Sequence, residues 1–172
     1  MINQAVILCA GLGTRLRPLT DQMPKQMIPI AGRPLLEHLI THLKKYSVRD
    51  FFINLHYLPE QIENYFGNGK KWGVKIIYAH EPVLMGTAGG IKSFEKYLKK
   101  EFFVVYGDMW TQVDFKKFHD FYVKKEKPTA MVLTAKADRK DVDLVELRAD
   151  CHFKKFYLRP HPKNRSLKNK LL

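Results

Sequence analysis

Six residues near the N-terminus, Gln4 to Cys9, form an almost wholly apolar run that passes without a break into Ala10-Gly11-Leu12-Gly13-Thr14-Arg15. Apolar residues at every position, rather than every second one, belong to a strand covered on both faces, as in parallel sheets. Glycines directly after such a strand turn the chain sharply and let backbone N–H groups approach a ligand closely. A buried strand feeding a glycine turn is therefore expected at the edge of a ligand site.

The remaining chain repeats that alternation. Pro34 is followed by Leu35, Leu36, Leu39, Ile40 and Leu43 at helical spacing, with Glu37, Lys44 and Lys45 off the stripe. Strands are expected over Phe51 to Leu55, Val74 to Ala79, Phe102 to Tyr106 and Thr129 to Ala135, with helices over Pro59 to Phe66, Gly90 to Leu98 and Phe115 to Lys124. Cys151 to Leu158 is strand-like. Strict alternation predicts an α/β fold, a mostly parallel, Rossmann-like sheet with helices on both faces and ligands outside the carboxyl ends of its strands. With 172 residues, one domain is expected, its ligand-binding portion over 1–135 and a partial second portion over 136–172.

Composition narrows the function. The net charge of +13 invites a nucleic-acid reading, but Lys154, Lys155, Arg159, Lys163, Arg165, Lys168 and Lys170 are concentrated after residue 150 with no acidic residue among them. A basic end of this kind reads as a solvated tail, and no nucleic-acid recognition motif accompanies it. The apolar run Ala5 to Ala10 is far shorter than the roughly 20 residues of a membrane helix. Neither nucleic acid nor membrane is expected as a partner. Cys9 and Cys151 stand far apart, which reads as two reduced thiols in a cytoplasmic protein. Phe153, Phe156 and Tyr157 are more apolar than a free tail would keep, so the chain is expected to be C-terminally incomplete, with that surface favouring self-association into a homo-oligomer.

Three glycine-bearing segments follow expected strands: Gly11 to Pro18, His80 to Gly90, and Tyr106 to Met109. Such turns gather backbone donors for a polyanion, and Arg15 and Lys25 add full positive charge. At an effective dielectric of ~20, one cation–oxyanion contact near 4 Å is worth about 4 kcal/mol before desolvation. Gly-x-Gly-x-x-Gly fails because Leu16 occupies the sixth position, and no Gly-x-x-x-x-Gly-Lys-Ser/Thr occurs. Taken alone, Asp108 also fits a turn former or helix cap and Lys25 a solvated loop lysine. Arg17 reads as structural or surface. His38, His42 and His56 carry no paired ligand spacing and read as non-functional, and Trp72 and the phenylalanines read as core.

The longer string Gly11-Leu12-Gly13-Thr14-Arg15-Leu16-Arg17-Pro18-Leu19-Thr20, with Pro24-Lys25-Gln26-Met27-Ile28-Pro29-Ile30-Ala31-Gly32-Arg33-Pro34, closely resembles the sugar-1-phosphate nucleotidylyltransferases. Gly86-Thr87-Ala88-Gly89 and Gly107-Asp108 follow in that family's order. Tyr57 to Ile62 and Gly107 to Thr111 resemble the mannose-1-phosphate, heptose-1-phosphate and N-acetylmuramate-1-phosphate branch. The resemblance implies transfer of a nucleoside monophosphate from a nucleoside triphosphate to a sugar 1-phosphate, with Mg²⁺ as cofactor. It makes 1–135 the nucleotide-binding portion and 136–172 a partial sugar-binding portion, and implies nucleotide contacts from Leu8, Ala10, Gly11, Gly13, Thr14, Arg15, Glu81, Gly86 and Thr87. Arg15, Lys25 and Asp108 would be the catalytic set, with Asp108 as metal ligand and Gly107 and Arg159 at the sugar phosphate.

For the base, an ionised Glu81 only accepts hydrogen bonds, which suits guanine's adjacent N1–H and N2–H₂ donors. GTP is the expected donor, with UTP, CTP and dTTP as alternatives and a surface-loop role for Glu81 left open. The sequence departs from the family where Leu158-Arg159-Pro160 stands for a Glu-Lys-Pro segment, and arginine's planar fork is no copy of lysine's ammonium. The alternative of another class is a catalytically silent nucleotide or sugar-phosphate binding module, or a regulatory partner of a full-length enzyme.

Overall fold

In the computed structural model, residues 2–133 and 143–157 are described. The elements run β1 (Gln4–Leu8), β2 (Pro29–Ile30), β3 (Arg33–Pro34), α1 (Leu35–Lys45), β4 (Asp50–Leu55), α2 (Pro59–Phe66), β5 (Lys75–His80), α3 (Gly86–Lys92), β6 (Phe103–Tyr106), α4 (Phe115–Lys125), β7 (Leu144–Leu147) and β8 (Phe153–Tyr157). Short 3₁₀ turns at Thr14–Leu16, Leu19–Asp21 and Lys25–Met27 fill the stretch after β1. The chain divides into two compact units, residues 1–127 and 128–172.

The first unit is built on a four-stranded sheet in the order β5-β4-β1-β6, parallel throughout. The continuous apolar run behaves as expected. Ala5 and Ile7 of β1, with the following Cys9, face one core beside Leu36, Leu39, Ile40 and Leu43 of α1 and Ile62 and Phe66 of α2. Val6 and Leu8 face a second core with Phe52, Phe94 and Ile91. Helices thus cover both faces, and each fully buried leucine of the α1 stripe stabilises the packing by about 1.5–3 kcal/mol. After β1 the chain goes to β4 and β5 on one side, then crosses to β6 on the other side of β1. The crevice at the carboxyl ends of β1 and β6 is the position where open α/β sheets bind ligands.

Three expectations need correction. The helix expected over Gly90 to Leu98 begins earlier, at Gly86, and ends at Lys92, with a separate 3₁₀ turn at Glu95–Tyr97. Glycines disfavour a helix interior, but here they permit close approach: a Cβ on Gly90 would stand 2.5 Å from Asn54 Nδ2. No strand forms over residues 129–133, and 134–135 lie outside the described residues. Not every phenylalanine is core, for Phe121, Phe153 and Phe156 are exposed. Trp72 is half-buried and packs against the α1 side of the sheet.

The second unit contains an antiparallel hairpin of β7 and β8. Glu146 in β7 ties the pair through Lys154 Nζ at 2.9 Å and the Tyr157 hydroxyl, which donates at 2.7 Å. Among the described residues no helix is long and apolar enough to cross a membrane.

Candidate functional site

The floor of the crevice is the end of β1. Beyond Leu8 the strand ladder stops pairing, and side chains take over the backbone groups of Cys9. Its amide donates to Asn54 Oδ1 at 2.9 Å, and its carbonyl accepts from Gln26 Nε2 at 2.9 Å. Both side chains are buried, so the chain enters Ala10 and Gly11 on a fixed course. Gly13 sits at φ 69°, a left-handed conformation that favours glycine. Its carbonyl accepts from the Thr20 hydroxyl at 2.8 Å and from the Leu16 amide at 2.9 Å. Tyr57 fastens the same arch from behind, its hydroxyl donating to the Thr20 carbonyl at 2.9 Å. Thr14 and Arg15 lie exposed on this arch.

Lys25 and Asp108 meet over the floor. Lys25 Nζ donates to Asp108 Oδ2 at 2.6 Å, and a Cβ on Gly11 would stand 3.1 Å from that nitrogen. The ammonium therefore lies against Gly11, which leaves it room. Asp108 is held by the end of β6, where the Gly107 amide donates to the Leu8 carbonyl at 3.0 Å. A Cβ on Gly107 would collide with Cys9 Sγ and stand 3.1 Å from Gln26 Cγ, so glycine is required for β6 to reach this register. The pair is partly exposed, 21% for Lys25 and 35% for Asp108. Such a pair contributes on the order of 1 kcal/mol or less, and a ligand phosphate can replace the carboxylate at little cost.

The opposite wall is the turn into α3. Gly86 opens it at φ 69°, and the Thr87 hydroxyl lies 3.4 Å from the Tyr106 hydroxyl at the end of β6. Glu81, read as an acceptor for a base, points into the chain. It is 3% exposed. Oε1 accepts from Asn54 Nδ2 at 2.7 Å and Oε2 from the Met85 amide at 2.9 Å. His56 Nδ1 lies 2.6 Å from its backbone carbonyl.

The structure thus gathers Leu8, Ala10, Gly11, Lys25, Gly107 and Asp108 at one crevice, with the Gly13 to Arg15 arch on its rim. Arg159 lies outside the described residues. Arg17 pairs with Asp21 on the surface at 3.2 Å, a structural role as read. His38 and His42 are engaged by the backbone carbonyls of Ile30 and Val113. Burial, reinforced by the charge of Asp108 and opposed by Lys25, pushes the Cys9 thiol well above its usual range, so it is a neutral packing group and no nucleophile. Sequence reading passed over Asn54 and Gln26. The available signal was a single amide inside the apolar stretch Phe51 to Leu55 and another beside Lys25.

Among the described residues no three His, Cys, Asp or Glu side chains gather as a metal cage. One carboxylate at a strand end suits a cation that keeps most of its waters and takes further oxygens from phosphates, which is how Mg²⁺ is commonly held.

Comparison with known proteins identifies the family. A heptose 1-phosphate guanylyltransferase of Campylobacter jejuni is 40% identical over 114 residues, covering 66% of this chain and 51% of the relative. An N-acetylmuramate α-1-phosphate uridylyltransferase of Neisseria meningitidis is 42% identical over 114 residues, covering 65% and 49%. The chain spans about half the length of these relatives. The crystal structure of HddC from Yersinia pseudotuberculosis complexed with GMP-PN superposes with a TM-score of 0.71 at 25% identity, covering 93% of this chain and 71% of that one. The sequence pattern of the nucleotidyl transferase family matches residues 4–157, most of the chain, and the chain belongs to that family.

Proposed function

We propose that this protein transfers a nucleoside monophosphate from a nucleoside triphosphate to a sugar 1-phosphate. The observation that carries the reading is the Lys25 ammonium lying against Gly11 and facing Asp108 across the ends of two adjacent strands. A sugar phosphate oxygen forms a bond to the α-phosphorus as the bond from that phosphorus to the bridging oxygen breaks, and the electron pair leaves with pyrophosphate. No covalent nucleophile is required; the reaction asks for in-line positioning and charge neutralisation.

Backbone N–H groups of Gly11, Gly13 and Thr14 donate to phosphate oxygens. Lys25 exchanges its carboxylate partner for the triphosphate, and Arg15 adds charge from the rim. Asp108 would hold Mg²⁺, which when bound neutralises phosphate charge and orients the oxygens. Gly86 and Thr87 form the wall toward the base. GTP is the proposed donor, supported by the guanylyltransferase among the relatives and by GMP-PN in the HddC structure. With the Glu81 carboxylate engaged inside the chain, base discrimination falls to the backbone of the 82–87 turn. The cytosol, which supplies both substrates, is the proposed compartment.

The test is GTP titration with Mg²⁺, followed by pyrophosphate release with a panel of sugar 1-phosphates. Binding of triphosphate more tightly than monophosphate, with release dependent on one sugar 1-phosphate, is the expected result. Absence of any triphosphate binding would overturn the proposal.

A further inference from the structure

The glycine arch after β1 and the turn into α3 are separated by some seventy residues of sequence, yet one chain of hydrogen bonds joins them. It runs from the Cys9 amide to Asn54 Oδ1, from Asn54 Nδ2 to Glu81 Oε1, and from the Met85 amide to Glu81 Oε2, at 2.9, 2.7 and 2.9 Å. Asn54 and Glu81 are both 3% exposed. Gly90 of α3 packs on the junction, where a Cβ would stand 2.5 Å from Asn54 Nδ2 and 3.0 Å from Glu81 Oε1. Asn54 is an amide with both ends committed, its oxygen to one wall and its nitrogen to the other.

The geometry points to Asn54 and Glu81 as a positioning pair that locks the two backbone walls of the nucleotide site together, so that neither moves independently of the other. This deepens the proposed function and rests on it for the identity of the ligand; the coupling itself is a property of the chain. It also assigns Glu81 to positioning rather than to the base. A carboxylate in this place accepts from two donors at once, and an amide at position 54 is the group that offers an acceptor to Cys9 and a donor to Glu81.

Polarity reversal tests the pair. In Asn54→Asp the two carboxylates face each other and the link breaks; in Glu81→Gln alone, the carboxamide can serve Asn54 or Met85 but presents its donor to one of them. In the exchanged pair, Asn54→Asp with Glu81→Gln, the carboxylate at position 54 accepts from the Cys9 amide and from the carboxamide at position 81, whose oxygen accepts from Met85. All three bonds return with the charge moved to the other residue. Amide hydrogen exchange on the 172-residue chain reads the coupling without any nucleotide. Asn54→Ala is expected to speed exchange at Met85 about tenfold, although the direct acceptor of Met85 is untouched, a ratio typical of losing a bond to a charged group. Should that variant fail to fold, the single and exchanged Asp/Gln variants carry the comparison: the single changes speed exchange at both Cys9 and Met85, and the exchanged pair returns to within about threefold of the original.

GTP affinity should follow the same pattern, falling about tenfold in each single variant and recovering in the exchanged pair. Unaltered exchange at Met85 in the single variants would overturn the proposal. Restored exchange with GTP affinity still lost would also overturn it, by showing that the Glu81 carboxylate contacts the base. Coupled exchange in a chain that binds no triphosphate would uphold the lock and overturn the proposed function instead.

Discussion

Lys25 Nζ has a strong acceptor at 2.6 Å in Asp108, and both groups remain partly open to solvent. Charge-assisted contacts of this kind are worth roughly 1.5–3 kcal/mol when a ligand replaces the partner in a drier site. Lys25→Ala should therefore weaken triphosphate binding about tenfold while changing monophosphate binding about threefold or less, as measured by calorimetric titration. Asp108→Asn should abolish the Mg²⁺ enhancement of triphosphate affinity and leave the thermal unfolding midpoint near that of the original chain. Equal GTP affinities in all three proteins would remove both residues from the site. The two thiols make a separate prediction. Cys9 is buried, with its thiol pushed well above its usual range chiefly by burial, and Cys151 is exposed. Under native conditions a thiol reagent should modify Cys151 and spare Cys9, and denaturation should release the second thiol. Rapid native modification of both would show that the floor of the crevice opens. That Lys25 and Asp108 share one site was legible in the sequence only through the family-like order of the motifs that hold them, and the structure brings the two charges to 2.6 Å. The direction of the Glu81 side chain was not, because its partner Asn54 lies 27 positions away and no local pattern records which way a carboxylate turns.

Elements whose periodicity matches their surroundings were readable from the sequence. The all-apolar β1 and the Leu36, Leu39, Ile40, Leu43 stripe of α1 satisfy a single covering geometry, and the structure returns α1 beginning directly after Pro34 and β1 ending one residue early, at Leu8. The start of α3 was hidden because local glycine propensity and tertiary close approach argue in opposite directions, and the packing of Gly90 on Asn54 decides. β7 was missed because Leu144, Val145, Glu146 and Leu147 carry a charge whose partners, Lys154 and Tyr157, sit on the neighbouring strand. Two stability predictions belong at this scale. Asp114 caps α4, its carboxylate accepting from the amides of Lys116 and Lys117 at 3.0 Å each. Asp114→Ala should cost about 1 kcal/mol in urea unfolding without altering nucleotide binding. Gly107→Ala forces a Cβ between Cys9 and Gln26, and overpacking of that kind costs ~1–3 kcal/mol; it should lower both stability and GTP affinity. A Gly107→Ala protein of unchanged stability would show that the β6 end has slack the structure does not display.

On the scale of the whole molecule, the parallel sheet followed from the alternation of strands and helices, and the hairpin of β7 and β8 departs from it. Phe153 and Phe156 on that hairpin are 58% and 42% exposed, and exposed aromatic pairs of this size favour association. Sedimentation should show concentration-dependent self-association that Phe153→Ser with Phe156→Ser reduces; a strictly monomeric original chain would dismiss that surface as an interface.

The strand order β5-β4-β1-β6 has a further consequence for how the crevice comes into being. β1, β4 and β5 pair through successive crossovers and are complete by His80, whereas β6 must return to the free edge of β1, so that Gly107 and Asp108 arrive only after the first three strands are laid down. The Lys25–Asp108 contact spans 83 residues and waits on the still longer closure that pairs Ala5 with Phe103. A chain emerging from the ribosome would hold a finished glycine arch well before it held a finished site. Completion of the candidate site would thereby wait on β6, and a chain in which β6 had not yet docked would expose the open edge of β1 to any other strand that can pair with it.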